Sequence, residues 1–287
     1  MKNTNRKRVP PNSKADVSIV THLTPDLDAC MAIWLLTRLV YRDLEMDLEF
    51  IPLGAGSSLQ ALVLQEEHQG QVVFVDIGGG RYDHHDTADY VCAASLVMKD
   101  HSLENDPVLR SMVEYALAVD HARIREGEDR GFSLVNIING LNSTFPRDPQ
   151  RVVRLVLTCL DGIYASLQQE AKAASELDGL VTFMTKWGRG AGCVSSNPST
   201  RSLAHQLGYV VYIYIDPDSG YRGFTAPAGS GVDFGDVARR IRRLEPEADW
   251  FLHSSGELLL CGSRKAPFER QSKLSLVQLI ALVKTED

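Results

Sequence analysis

The first ordered pattern lies near the start of the chain. Asp16–Thr21 (DVSIVT) is a short β-branched run with the apolarity of a buried strand. Thr24-Pro25-Asp26 follows in the form of a helix start, with Thr24 as N-cap and Pro25 at the first helical position. Ala29, Ala32, Ile33, Leu35, Leu36 and Leu39 then supply an apolar helix. Leu48–Leu53 reads as a second strand, closed by Gly54-Ala55-Gly56. Gln71–Asp76 (QVVFVD) reads as a third, ending at Gly78-Gly79-Gly80. Strands alternating with helices predict an α/β fold with a mainly parallel sheet and flanking helices on both faces.

From Ala88 the pattern turns helical. Helices are predicted over Ala88–Lys99, Pro107–Val119 and Phe132–Leu141, and a long one from Pro149 to about Lys186. Trp187–Thr200 gathers three glycines with Ser195, Ser196, Asn197 and Pro198, and predicts a linker. Beyond it, strands are expected over Gly208–Ile215, Tyr221–Ala226, Trp250–His253 and Leu258–Cys261. Asp216–Gly220 reads as a turn, and Asp236–Leu244 and Leu274–Lys284 as helices. The expected organisation is a basic flexible tail over residues 1–14, a larger α/β domain over 15–186, a linker over 187–205 and a smaller α+β domain over 206–287.

Composition narrows the function classes. With 44% hydrophobic and 23% charged residues the chain is globular rather than disordered. A net charge of −7 argues against long duplex DNA, which is held through a basic footprint. Basic residues cluster only at Arg239, Arg240, Arg242 and Arg243. A short oligonucleotide, a nucleotide or a small phosphate compound fits better, because bound cations can supply the positive field. No apolar run approaches the roughly 20 residues needed to span a bilayer, so no membrane partner is expected. Cys30, Cys92, Cys159, Cys193 and Cys261 are odd in number and form no C-x-x-C pair. Buried free thiols in a reducing, cytoplasmic setting are the reading they give. A homodimer is left open.

Candidate chemistry stands at four points, each at a predicted element end. They are His22, Asp26 and Asp28 in T-H-L-T-P-D-L-D, Asp76 at the end of the third strand, Asp83-His84-His85, and Asp120-His121 at the end of a predicted helix. Carboxylates gathered together raise one another's pKa unless cations intervene. Aspartate with histidine, and no thiolate, suits Mn²⁺, Mg²⁺ or Fe²⁺; two divalent cations are expected, Mn²⁺ first and Mg²⁺ second. Asp26 and Asp28 point in different directions at a helix start and can serve two metals, while Asp76 has two oxygens with which to bridge them. Two such metals about 3.5–4 Å apart activate water for in-line displacement at phosphorus. Taken singly, each piece has a plainer reading: Asp26 and Asp28 favour a helix dipole, Asp83-His84-His85 makes a surface turn, and Asp120 sits in a loop.

Taken in order, the four pieces resemble the motifs of the DHH phosphoesterase superfamily. The match is close over His22–Ala29, extends to Val75-Asp76, Asp83-His84-His85 and Val119-Asp120, and covers roughly residues 16–125. Arg81-Tyr82-Asp83-His84-His85, Asn139-Gly140-Leu141-Asn142 and Phe251–Gly256 are similar to segments of its melanocyte-proliferating-gene branch of RNA exonucleases. That branch carries a histidine and a D-E pair where this chain has Pro25-Asp26 and Asp28-Ala29. The resemblance implies a metal-dependent hydrolase. His22 and Asp26 would bind one metal, Asp28, His84 and Asp120 the other, and Asp76 would bridge. His85 would contact phosphate or move a proton, and Asp83 would support the histidines. The family's G-G-G-H substrate loop is absent. His253-Ser254-Ser255-Gly256 stands in its place, with Arg264 and Lys265 offered as a phosphate clamp. A nuclease or oligonucleotide phosphodiesterase is expected first, a small-molecule phosphatase or pyrophosphatase second, and a non-catalytic regulatory protein on the same fold third.

Overall fold

The computed structural model describes residues 15–54, 64, 70–123 and 131–285; the expected tail over residues 1–14, and Ala55 and Gly56, lie outside the described residues. The chain divides into two compact units, Met1–Ala165 and Ser166–Asp287. The architecture is mixed α/β, with a parallel sheet in the first unit and a mixed sheet in the second.

In the first unit, β1 (Val17–His22) lies between β2 (Met46–Ile51) and β3 (Gln71–Phe74), and both pairings are parallel. The β-branched run of β1 is buried along its whole length, as a central parallel strand must be. The helices are α1 (Leu27–Leu35), prolonged by a π-helical turn over Leu36–Val40, then α2 (Ala93–Asp100), α3 (Pro107–Asp120), α4 (Leu134–Thr144) and α5 (Pro149–Glu176). All nine residues of α1 are buried, which fits a helix apolar on every side and packed against α2 and α3.

The start of α1 differs from the expected one. Asp26, not Thr24, is the N-cap, and its Oδ1 accepts from the Ala29 backbone N–H at 3.0 Å. Pro25 therefore belongs to the incoming connection, where its carbonyl accepts from Asn142 Nδ2 at 2.9 Å. The cap falls where a carboxylate reaches the third helical N–H. The helix expected from Ala88 begins only at Ala93, because its first N–H groups find their acceptors on Asp28, far away in sequence.

The second unit carries a six-stranded sheet in the order β4-β5-β6-β7-β9-β8. Its strands are β4 (Val181–Thr185), β5 (Gly188–Val194), β6 (Val211–Ile215), β7 (Arg222–Thr225), β8 (Trp250–Leu252) and β9 (Leu258–Cys261). β5 and β6 run parallel, joined through α6 (Ser199–Gln206), and the other pairs are antiparallel. α7 (Gly235–Leu244) and α8 (Leu276–Ala281) complete it, over a core that includes Ile213, Phe224, Phe234, Ile241 and Leu259.

The linker expected over 187–205 is instead β5, a polar loop and most of α6, and the long helix stops at Glu176. The glycines of β5 reflect crowding rather than freedom. A Cβ on Gly190 would lie 2.3 Å from Phe183 Cε2, and one on Gly192 would lie 3.0 Å from Leu276 Cδ1. Neighbouring side chains press onto the strand at these positions, and only glycine gives them room. The boundary between the units falls inside α5, well before the expected edge at residue 186. Four cysteines are buried as expected, whereas Cys159 is exposed on α5. Among the described residues, no helix is long and apolar enough to cross a membrane.

Candidate metal centre

Parallel strands deliver their carboxyl ends to one edge of a sheet, and that edge is where open α/β sheets place ligands. β1 ends on His22. β3 ends at Phe74, and Val75 continues its direction, donating its N–H to Val20 O at 2.9 Å, before the chain reaches Asp76. Asp76 takes a left-handed backbone conformation, φ 58°, which aspartate tolerates better than most residues. Gly78 (φ 84°) and Gly79 (φ 66°) make the turn that follows. It closes when Asp76 N–H donates to Tyr82 O at 2.8 Å. Tyr82 is itself buried and donates its hydroxyl to Asp100 Oδ2 at 2.6 Å. The Gly-Gly-Gly segment is thus a turn that holds Asp76 and Asp83-His84-His85 on the same side.

Asp76 lies at the centre. Its Oδ2 is 3.1 Å from His22 Nε2, its Oδ1 is 3.2 Å from His84 Nε2, and the same Oδ1 is 3.8 Å from His85 Nδ1. His84 Nε2 also lies 3.6 Å from Asp28 Oδ2 and 3.7 Å from Asp120 Oδ2. The rings of His84 and His85 stack, with centroids 4.9 Å apart. Three overlapping groups result, each compact enough for one ion: His22 with Asp26 and Asp76, Asp76 with His84 and His85, and His84 with Asp120 and His121. Asp76 belongs to the first two, and His84 to the last two.

The residues singled out in the first unit thus come together, with two differences in detail. Asp28 is committed to the fold. Its Oδ2 accepts from Ala93 N–H at 2.7 Å and its Oδ1 from Ala94 N–H at 2.9 Å, so it caps α2 from beside the cluster. His121 joins the third group without having been assigned a role. Its Nε2 is 3.8 Å from Asp120 Oδ2 and 2.9 Å from Val91 O, and its ring packs on Tyr90. Adjacency to Asp120 was the available signal. Asn139 was noted only as part of a similar segment. With Asp26, Asp28 and Asp120 it lines a cavity of about 180 Å³ beside the cluster.

The electrostatics follow from this crowding. Burial, and next the Asp76 charge, raise the Asp28 carboxyl well above its ordinary value despite the two N–H bonds. Asp26 sits at the rim with its side chain reached by solvent, yet the protein around it and then Asp76 raise its carboxyl too. Asp83 moves the other way: burial works against ionisation but is outweighed by bonds from the His85 ring and from the Gly79 and His85 backbone N–H groups. His85, 2.6 Å from Asp83 through Nδ1, is raised, because that bond and the Asp76 charge outweigh its burial.

A carboxyl raised in the folded state stabilises the fold in acid, and that stability is lost as pH rises through the raised value. In chelator, the contribution of Asp26 and Asp28 should therefore fall as pH climbs from the ordinary carboxylate value of 3.8. A cation binding there competes with the protons. The gain in melting temperature on adding Mn²⁺ should accordingly grow from mildly acidic to neutral buffer, read by thermal denaturation at each pH. A gain that is flat or shrinks with pH would contradict this account.

The donor set fits divalent cations of hard or borderline character. Carboxylates suit manganese and magnesium, imidazole suits borderline ions such as iron and zinc as well, and no thiolate among these groups selects a soft metal. Asp76 Oδ1 and His22 Nδ1 are buried without a hydrogen-bond partner among the described residues, a costly arrangement that a cation would relieve. Cys30 and Cys92 offer no thiolate. Burial first, and then the neighbouring aspartates, push both thiols far up.

The candidates in the second unit have other settings. His253–Gly256 forms the turn between β8 and β9, with Ser254 exposed, Ser255 N–H donating to His253 Nδ1 at 3.2 Å, and Gly256 at φ 78°. Arg264 and Lys265 are exposed in the turn after β9. No protein-family model and no curated protein matches the chain.

Proposed function

We propose that the chain is a divalent-cation-dependent phosphoesterase of the DHH type, which hydrolyses a phosphodiester bond of short oligonucleotides or nucleotides. The observation that carries this reading is the setting of Asp76. It is one buried carboxylate, at the carboxyl end of a parallel sheet, shared between two groups of potential ligands, with one oxygen that has no hydrogen-bond partner among the described residues. The order of the four sequence pieces supports the same reading, and the acidic net charge favours short substrates over long polymers.

In this reading His22, Asp26 and Asp76 hold one cation, and Asp76 and His84, with Asp120 and His121 at hand, hold the second. Two divalent cations, manganese before magnesium, supply an activated water and neutralise charge at phosphorus. Asp83 fixes the His85 ring through Nδ1 and keeps it protonated further toward neutral pH, which suits it to donate a proton to the leaving oxygen. Asp28 holds α2 against the cluster.

The test is cleavage of a short end-labelled RNA and its DNA counterpart by the full chain with Mn²⁺. Stepwise loss of nucleotides is expected, abolished by chelator. His84→Ala should lower the rate by more than about a hundredfold, since even residues that only support a metal ligand cost 10–100-fold when removed. Folded, Mn²⁺-supplied chain that leaves both oligonucleotides intact would overturn the diester reading. Pyrophosphate, included in the same assay, would then show whether the site serves a small phosphate instead.

A further inference from the structure

The second unit contains a parallel strand pair of its own. β5 and β6 are parallel strands joined by a helix, and the carboxyl ends of such strands are the usual place for a ligand. At that end lies a cavity of about 250 Å³, lined by Ser196, Thr200, Arg201, Tyr214, Asp216 and Arg264 among others. Gly223 on β7 makes room for the Tyr214 ring, since a Cβ there would lie 2.6 Å from Tyr214 Cε1.

Most polar groups of the wall are already engaged with one another. Thr200 Oγ1 accepts from Tyr212 OH at 2.8 Å and donates to Asn197 O at 2.8 Å. Asn197 Oδ1 accepts from Ser199 N–H at 3.0 Å. Asp216 accepts from Ser196 Oγ at 2.6 Å, from Ser219 Oγ at 2.5 Å and from the Asp218 N–H at 3.0 Å. These bonds fix the wall and satisfy the one carboxylate in it.

Three donors are left over. Among the described residues, the guanidinium groups of Arg201 and Arg264 and the hydroxyl of Tyr214 have no hydrogen bond or ion pair to the protein, and all three line the cavity. Guanidinium forks match the oxygens of a phosphoryl group, and a tyrosine hydroxyl adds a further donor. The volume leaves space for an organic group beyond the phosphate. We infer that this cavity binds a small phosphomonoester, with its phosphoryl oxygens held by Arg201, Arg264 and Tyr214. The site uses residues of the second unit alone and does not depend on the metal-centre reading.

Calorimetric titration of the full chain in chelator, with AMP and with inorganic phosphate as probes, tests it. Saturable binding is expected, tighter for AMP. Arg201→Ala and Arg264→Ala should each weaken it about tenfold or more, the loss of one charge-assisted contact, and Tyr214→Phe by less. Both arginines are exposed, so circular dichroism and the melting temperature should not change. His84→Ala should bind as the parent does. No saturable binding, affinity undiminished in both arginine variants, or AMP binding no tighter than phosphate would each overturn the assignment. Loss of binding in His84→Ala alone would place the anion at the first unit's cluster and overturn it as well.

Discussion

Asp76→Asn should abolish the divalent-cation response of the protein while leaving its metal-free fold at least as stable as the parent. Activity is expected to fall by a factor on the order of 10⁴–10⁶, the range seen when one member of a catalytic unit is removed. The rise in melting temperature on adding Mn²⁺ should vanish with it. The stability half of the prediction follows from the charges. Asp76 is buried, its Oδ1 has no hydrogen-bond partner among the described residues, and its charge raises the carboxyls of both Asp26 and Asp28. An amide removes that repulsion and can still pair with His22 Nε2. Asparagine is the right probe because it accepts a left-handed backbone, whereas alanine at φ 58° adds roughly 1–2 kcal/mol of strain unrelated to metal. Retention of Mn²⁺-dependent activity in Asp76→Asn would remove the shared-carboxylate reading.

Asp28→Ala should do the opposite: destabilise the fold, with or without cation, by about 2–4 kcal/mol. Both Asp28 oxygens accept N–H groups at the start of α2, in a setting where water does not replace them. Removing the acceptor leaves two buried N–H groups unsatisfied, at roughly 1–3 kcal/mol each, and the two losses do not add fully. Asp28→Asn, with one acceptor oxygen, should fall between parent and alanine variant. The sign with pH is also fixed. Because the Asp28 carboxyl is raised in the folded state, its contribution is largest in acid, and the deficit of the alanine variant should shrink as pH rises through the raised value. Denaturant unfolding in chelator at several pH values reads both effects. A deficit below about 0.5 kcal/mol, within the usual range for uninvolved substitutions, would mean that α2 does not need this cap.

The contrast between these two aspartates shows where the sequence was informative. β1, α1, β3 and the motif order were legible because local pattern suffices for them: a β-branched run, an apolar helix after a cap, a strand closed by glycines. His22, Asp76 and His84 were picked out because each stands at the end of such an element. The role of Asp28 was not legible, because its partners lie 65 and 66 residues away and nothing local marks Ala93 and Ala94 as needing an acceptor. His121 stands beside Asp120 in the fourth sequence piece without a role of its own, since only the packing of α3 near Val91 turns its ring toward His84. The glycine-rich stretch after Trp187 was misread for a related reason. Phe183 and Leu276 press on β5 from the neighbouring strand and from α8, and that pressure leaves the same residue type behind as flexibility does.

The position of β4 bears on any attempt to divide the protein. β4 is the outer strand beside β5, and its Val181 and Met184 side chains are exposed. A cut placed just before Gly188, where the chain looks most separable, would strip β4 away and leave a row of unpaired backbone groups along β5. Unpaired strand edges recruit other strands. Such a fragment would meet a solubility problem created by the cut itself. One beginning near Ser166 would keep the outer strand, the Gln169 carbonyl that accepts from Asn197 Nδ2, and Glu176, which accepts from Ser195 Oγ.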